Sequence, residues 1–151
     1  MLTKTPNGLA EIIQVFGSID DPNFENKYIR AFPLPYALLY NGQTVVHARC
    51  HYLLIDNFTQ AFQEIQKRGL CDQVKNYGGI YQVRKERGST TKPSVHCWAI
   101  AVDLEEDKYP LGSTARFSDE IVQIFRDAGF AYGGDFVHRL DPMHWQFCTG
   151  Y

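Results

Sequence analysis

The sequence predicts an α+β fold, a small antiparallel sheet with helices packed around it. Three observations point there: amphipathic helical stretches interspersed with short strand-like runs, an Asn41-Gly42 pair between two apolar segments, and no regular strand–helix–strand alternation. With 151 residues, 44 % of them hydrophobic and 21 % charged, the chain is expected to form one domain, 1–151. A chain of this size buries a core without needing disulfides or a metal merely to fold.

The elements follow in order. Leu9, Ile12, Ile13 and Phe16 recur at helical spacing and stop at Gly17, so residues 8–16 read as a short helix. Residues 17–35, with Pro22, Pro33 and Pro35 among polar residues, read as a long surface loop. Ala37–Tyr40 and Thr44–Val46 flank Asn41-Gly42, whose tolerance of positive φ suits a hairpin turn. Asp56 or Asn57 can cap a helix carrying Phe58, Ala61, Phe62 and Ile65, ending at Gly69. Residues 73–84 read as an irregular strand interrupted at Gly78-Gly79, and 85–93 as a mobile polar loop. A strand is expected over 97–104, and a helix capped by Ser118 carries Ile121, Ile124 and Phe125 up to Gly129. Residues 144–148 read as a closing strand.

Composition excludes several classes of function. Fifteen Lys and Arg against 17 Asp and Glu leave a net charge of −2, with no basic stripe for nucleic acid. No run approaches the roughly 20 apolar residues of a membrane span. Met1–Gly8 lacks a charged start followed by an apolar stretch, so a cytoplasmic location in the producing cell is expected. Cys50, Cys71, Cys97 and Cys148 show no CxxC pairing, which removes zinc-finger and thioredoxin readings and leaves reduced thiols. Aromatic residues, at 14 %, suit a compact domain with a lined groove.

Two segments of the second half concentrate chemistry. Ser94-Val95-His96-Cys97-Trp98-Ala99-Ile100-Ala101-Val102-Asp103 sets a His and an Asp seven positions apart around an apolar stretch. Asp141-Pro142-Met143-His144-Trp145 sets a carboxylate three positions before a His. A carboxylate buried beside such residues must be paired or metal-bound. Together these segments supply two imidazoles and two carboxylates. A catalytic zinc takes three such ligands with one position open to water, and the fourth group can serve as general base. On an ideal strand His96 and Asp103 would point to opposite faces, so convergence requires a bend near Trp98-Ala99. Cys97, beside His96, is poorly placed as a nucleophile for the same reason and reads as a buried structural thiol. His47 and His51 read as packing or surface residues, and His138 as a solvated loop histidine.

The combined pattern, Ser94-x-His96-x-Trp98-Ala99-x-Ala101-x-Asp103 followed by Gly133-Gly134-Asp135 and Asp141-Pro142-Met143-His144-Trp145, resembles the zinc D-alanyl-D-alanine carboxypeptidase family of the VanY type. That family includes phage L-alanyl-D-glutamate endopeptidases, which cut peptidoglycan stem peptides. The resemblance runs from the Gly8–Gly17 opening through Gly78-Gly79-Ile80-Tyr81-Gln82-Val83-Arg84 to the last histidine. It implies a hedgehog/D-Ala-D-Ala-peptidase-like site with Zn2+ held by His96, Asp103 and His144. It further implies Asp141 as catalytic base and Arg84 as the cation that grips the substrate carbonyl. Ser94 either bonds near the ligands or holds the turn. Two departures stand out: Ala99 where the family usually has Gly, and Tyr132 and Phe136 where Trp residues usually flank Gly-Gly-Asp, as walls of the groove.

The function so implied is a monomeric zinc metallopeptidase acting on the bacterial cell wall. The absent export signal favours an endolysin-type L-alanyl-D-glutamate endopeptidase that reaches the wall through lysis machinery or tail delivery. A D-alanyl-D-alanine carboxypeptidase is the alternative within the enzymes. A non-catalytic zinc-containing binding module, as in hedgehog-type signalling domains, is the alternative outside them, and the acid at 141 and Arg84 favour the enzyme.

Overall fold

A computed structural model describes residues 1–151. The order of elements is α1 (Gly8–Phe16), α2 (Phe24–Tyr28), β1 (Ile29–Tyr40), β2 (Gln43–His51), α3 (Ile55–Lys67), β3 (Tyr77–Gly79), β4 (Ala101–Leu104), α4 (Asp119–Asp127), β5 (Ala131–Tyr132) and β6 (His144–Gln146), with four short 3-10 turns between them. The α+β class holds. β1 and β2 form a two-stranded hairpin, and the other four strands form an antiparallel sheet in the order β3-β4-β6-β5.

The hairpin turns at Asn41 (φ 49°) and Gly42 (φ 79°), both in the left-handed region that a two-residue turn needs. Residues 17–35, expected as a loop, instead contain α2 and the first part of β1. The prolines misled that reading. Pro33 pairs with His47 at the point where the register shifts before Leu38, so the strand passes its prolines by way of a bulge. Phe32, Leu34 and Leu38 point into the core from the same strand.

α3 starts at Ile55, not at an Asp56 or Asn57 cap. A 3-10 turn over Tyr52–Leu54 leads into it, and the His51 ring accepts a hydrogen bond from the Leu53 amide. Asn57 is fully buried and does other work: its side chain donates to the carbonyls of Leu2 and Ala128 and accepts from the Leu2 amide. It thereby ties the N-terminal segment to the end of α4. Ser118 caps α4 as expected, accepting from the Ile121 amide.

α3 and α4 pack an aromatic core against the four-stranded sheet. Phe58 meets Phe130, Phe62 meets Phe125, and Trp145 lies between Phe125 and Tyr132 with ring centroids 4.5 and 4.9 Å away. Each such ring contributes about 1.5–3 kcal/mol by leaving water. The expected closing strand is shorter than 144–148 and sits inside the sheet, between β4 and β5. A strand at the centre of a sheet on a rigid core is a sound base for positioned side chains. No helix is long and apolar enough to cross a membrane.

Candidate metal centre

The strand expected over 97–104 is a strand only from Ala101. Before it, Val95–Trp98 form a 3-10 turn and Ala99 takes the left-handed conformation (φ 56°, ψ 41°). This is the bend that convergence of His96 and Asp103 requires. It also explains the residue type: the left-handed region suits Gly, and Ala occupies it at a cost of roughly 1 kcal/mol. Ser94 holds this turn, its hydroxyl accepting from the His96 amide at 3.2 Å. Cys97 points away, with its thiol against the Arg84 carbonyl.

Register supplies the rest. β4 pairs with β6 so that Asp103 stands directly opposite His144, although 41 residues separate them. Gly78 on the neighbouring strand leaves the space: a Cβ there would stand 3.0 Å from that of Asp103. Gly133 does the same for the turn before β6, where a Cβ would overlap the Asp141 carbonyl. The Gly133 carbonyl accepts from the Asp141 amide at 2.9 Å, and the Asp141 carbonyl accepts from the His144 amide at 3.0 Å.

His96, Asp103 and His144 are all buried, and one potential ligand atom from each lies within 4.8 Å of the others. Protonation of the imidazoles follows from their partners. His96 Nδ1 lies 2.9 Å from the Ile80 carbonyl, which can only accept, so Nδ1 carries the proton and Nε2 offers a lone pair. The Gln146 amide donates to the Cys148 carbonyl, which turns its Oε1 toward His144 Nε2 at 2.9 Å. His144 therefore donates from Nε2 and presents the Nδ1 lone pair to the site.

Both lone pairs face the carboxylate of Asp103. His144 Nδ1 is 2.9 Å from Oδ1, and His96 Nε2 is 3.2 Å from Oδ2 without a hydrogen bond. Acceptors crowded this closely need a positive charge among them. A proton on His144 is one answer. Burial opposes it, but the Asp103 hydrogen bond and charge outweigh burial and raise the His144 pKa. Burial pushes Asp103 up, yet the two imidazoles overcome it and hold this carboxyl well below the usual range. A divalent cation is the other answer, and it also satisfies His96 Nε2, which is buried with no partner. Two imidazole nitrogens and a carboxylate oxygen are a zinc donor set, so the residues present fit the metal.

Asp141 lies beside this cluster, with Oδ2 4.0 Å from His144 Nδ1 and Oδ1 buried without a partner. Burial raises its pKa, the direction that would suit a general base. Arg84 approaches from the other side. Its Nη2 is 3.8 Å from Asp103 Oδ2, and its Nε donates to Gln82. The groove in front has a volume of about 820 Å³ and is lined by Arg84, His96, Asp141 and His144 among others.

Phe136 forms part of the wall, its ring 6.0 Å from that of His144. Tyr132 lines the groove as well and has a second role. It is buried, stacked on Trp145, and its hydroxyl donates to the Pro142 carbonyl at 2.8 Å, pinning the 141–144 turn. Asp135 of the Gly-Gly-Asp segment pairs with Arg116 and Arg126. His138 and His47 are exposed. The 85–93 loop closes on its own ladder, with Lys85 bridging to Pro93 and the Glu86 amide donating to the Lys92 carbonyl. Gln146 is the site residue that sequence reasoning missed. Its position two residues after His144 on a strand, hence on the same face, was the available signal.

Comparison with known proteins agrees with this geometry. A family model described as D-alanyl-D-alanine carboxypeptidase matches residues 87–147, which include His96, Asp103, Asp141 and His144 but not Arg84. The match spans less than half of the chain and supports a peptidoglycan-acting metallopeptidase in general terms. No curated protein matches the chain.

Proposed function

We propose that the chain, as a single catalytic domain over 1–151, is a monomeric zinc-dependent peptidase that hydrolyses an amide bond in peptidoglycan stem peptides. The observation that carries this reading is the pair of fixed imidazole lone pairs converging on Asp103, with the half-buried Asp141 carboxylate alongside, its Oδ1 without a partner. A merely structural cluster has no use for the last of these.

His96 Nε2, His144 Nδ1 and an Asp103 oxygen would hold the zinc. When bound, zinc supplies Lewis acidity that acidifies water and polarises a carbonyl. The chain's own residues do the remaining work. Asp141 accepts the proton of the attacking water and returns it to the leaving amine, so that neither a hydroxide nor an amide anion is released. Burial raises its pKa, which predicts an acid limb in the rate profile at higher pH than an ordinary aspartate would give. The Arg84 guanidinium steadies the negative charge that develops on the scissile oxygen through its fork of N–H donors. Ile80 and Gln146 keep the two imidazoles in the required tautomers.

For the bond cut, the leading reading is the L-alanyl–D-glutamate bond, as in an endolysin-type endopeptidase of phage or prophage origin that reaches the wall after lysis or tail delivery. The description of the matching family favours a second reading, removal of a terminal D-alanine. Digestion of purified cell wall with and without a chelator, followed by mass spectrometry of the muropeptides, tests both. Chelator-sensitive release of peptides with a new glutamate N-terminus supports the first, and loss of one D-alanine the second. Zinc uptake without any amide cleavage would return the chain to the class of binding modules.

A further inference from the structure

The charge of the groove differs in sign from that of the whole chain. Five cations line it (Arg84, Arg87, Lys92, Arg126 and Arg139), against Glu86, Asp135 and Asp141. Internal pairing removes part of this set. Lys92 pairs with Glu86 at 3.1 Å, and Arg126 pairs with Asp135. Arg84 is turned toward Asp103. Arg87 and Arg139 are exposed and form no ion pair with any carboxylate.

These two arginines are also held in a defined place. Arg139 Nη2 donates to the main-chain carbonyl of Arg87 at 2.6 Å, which joins the 85–93 loop to the segment leading into Asp141. Arg139 is two residues from Asp141, and the Arg87 charge acts on the same carboxyl, offsetting part of the upward push of burial. The rim of the groove beside the proposed base therefore carries two guanidiniums with spare donors.

We propose that Arg87 and Arg139 read a free carboxylate on the substrate, close to the amide that is cut. The inference rests on the peptidase reading and narrows it to anionic peptides. Two sources offer this chemistry: the terminal carboxylate of the peptide, and the α-carboxylate of a glutamate linked through its side chain. A guanidinium bonds either in the same forked geometry.

The test compares one stem peptide in three forms: uncapped, amidated at its C-terminus, and amidated at the glutamate α-carboxylate. Binding is measured by calorimetry to zinc-loaded D141N protein and to the D141N/R87Q and D141N/R87K variants, so that cleavage is not needed for the readout. R87Q removes the charge but keeps the Arg139 bridge, because that bridge ends on the main chain. The uncapped peptide is expected to bind R87Q about tenfold or more weakly, in line with a charge-assisted hydrogen bond, with part of the loss restored in R87K, which returns the charge without the fork. Disappearance of the penalty on capping the C-terminus assigns the rim to a terminal carboxylate, and its disappearance on capping glutamate assigns it to the internal one. An equal penalty on all three peptides, or none on the uncapped one, overturns the proposal. Wild-type enzyme that cuts no stem peptide would count against the peptidase reading separately, whatever the affinities show.

Discussion

His51 and His96 are equally inaccessible to solvent, yet they are buried for different reasons. His51 sits among Phe16, Phe24, Tyr28 and Tyr52, and both of its nitrogens are satisfied. Nε2 donates to the Phe16 carbonyl at 3.0 Å, and Nδ1 accepts from the Leu53 amide at 3.3 Å. His96 has one nitrogen satisfied by Ile80 and the other left against a carboxylate with nothing to share. Burial alone does not mark a ligand. The feature that singles out His96 as the proposed ligand is a buried lone pair, oriented by Ile80 and left without a hydrogen-bond partner.

The largest expected effect comes from removing that lone pair. H96A should lose zinc binding and at least about a thousandfold in turnover together, checked by metal analysis of the purified protein and a muropeptide assay. D141N separates the two functions: it should retain zinc and lose about a hundredfold or more in kcat, in the range of a lost general base. Normal turnover in D141N would remove the base assignment. Q146L takes away the acceptor that fixes His144, and zinc affinity should fall about 10–100-fold with the fold intact, measured by competition with a chelator.

His51 sharpens the contrast from the other side. Burial lowers its pKa from 6.5 to about 4, so the folded protein keeps it neutral where the unfolded chain would be protonated. Because the unfolded state binds the extra proton, this group's contribution to stability is complete above pH 6.5 and falls as pH drops toward 4. The loss is on the order of 3 kcal/mol. H51F should remove that part of the acid sensitivity, seen as a smaller slope of denaturation midpoint against pH, and leave zinc affinity unchanged. The smallest effect belongs to A99G, which relieves the left-handed alanine at the bend. It should shift stability by no more than about 1 kcal/mol, read from urea denaturation of the zinc-free protein.

Some of this was legible in the sequence. Periodicity located α1, α3 and α4, and Asn41-Gly42 located the hairpin, because helix faces and tight turns are local properties. The four groups of the site could be named from residue type and spacing, and the need for a bend at Trp98-Ala99 followed from strand geometry. The prolines at 33 and 35 misled, since a bulge that accommodates them depends on the partner strand. The cap expected at Asp56 or Asn57 failed because Asn57 is spent on Leu2 and Ala128, contacts that reach 55 and 71 residues along the chain.

The sequence by itself determined which side chains are available for chemistry and where local turns fall. Tertiary structure decided which of them meet. The pairing of Asp103 with His144 is a matter of strand register, the tautomers depend on carbonyls and an amide brought in from neighbouring segments, and the free charge of Arg87 and Arg139 emerges only after other ions have found partners. The reason is physical: a hydrogen bond or an ion pair has a range of a few ångströms, and only folding converts separation along the chain into distances of that size.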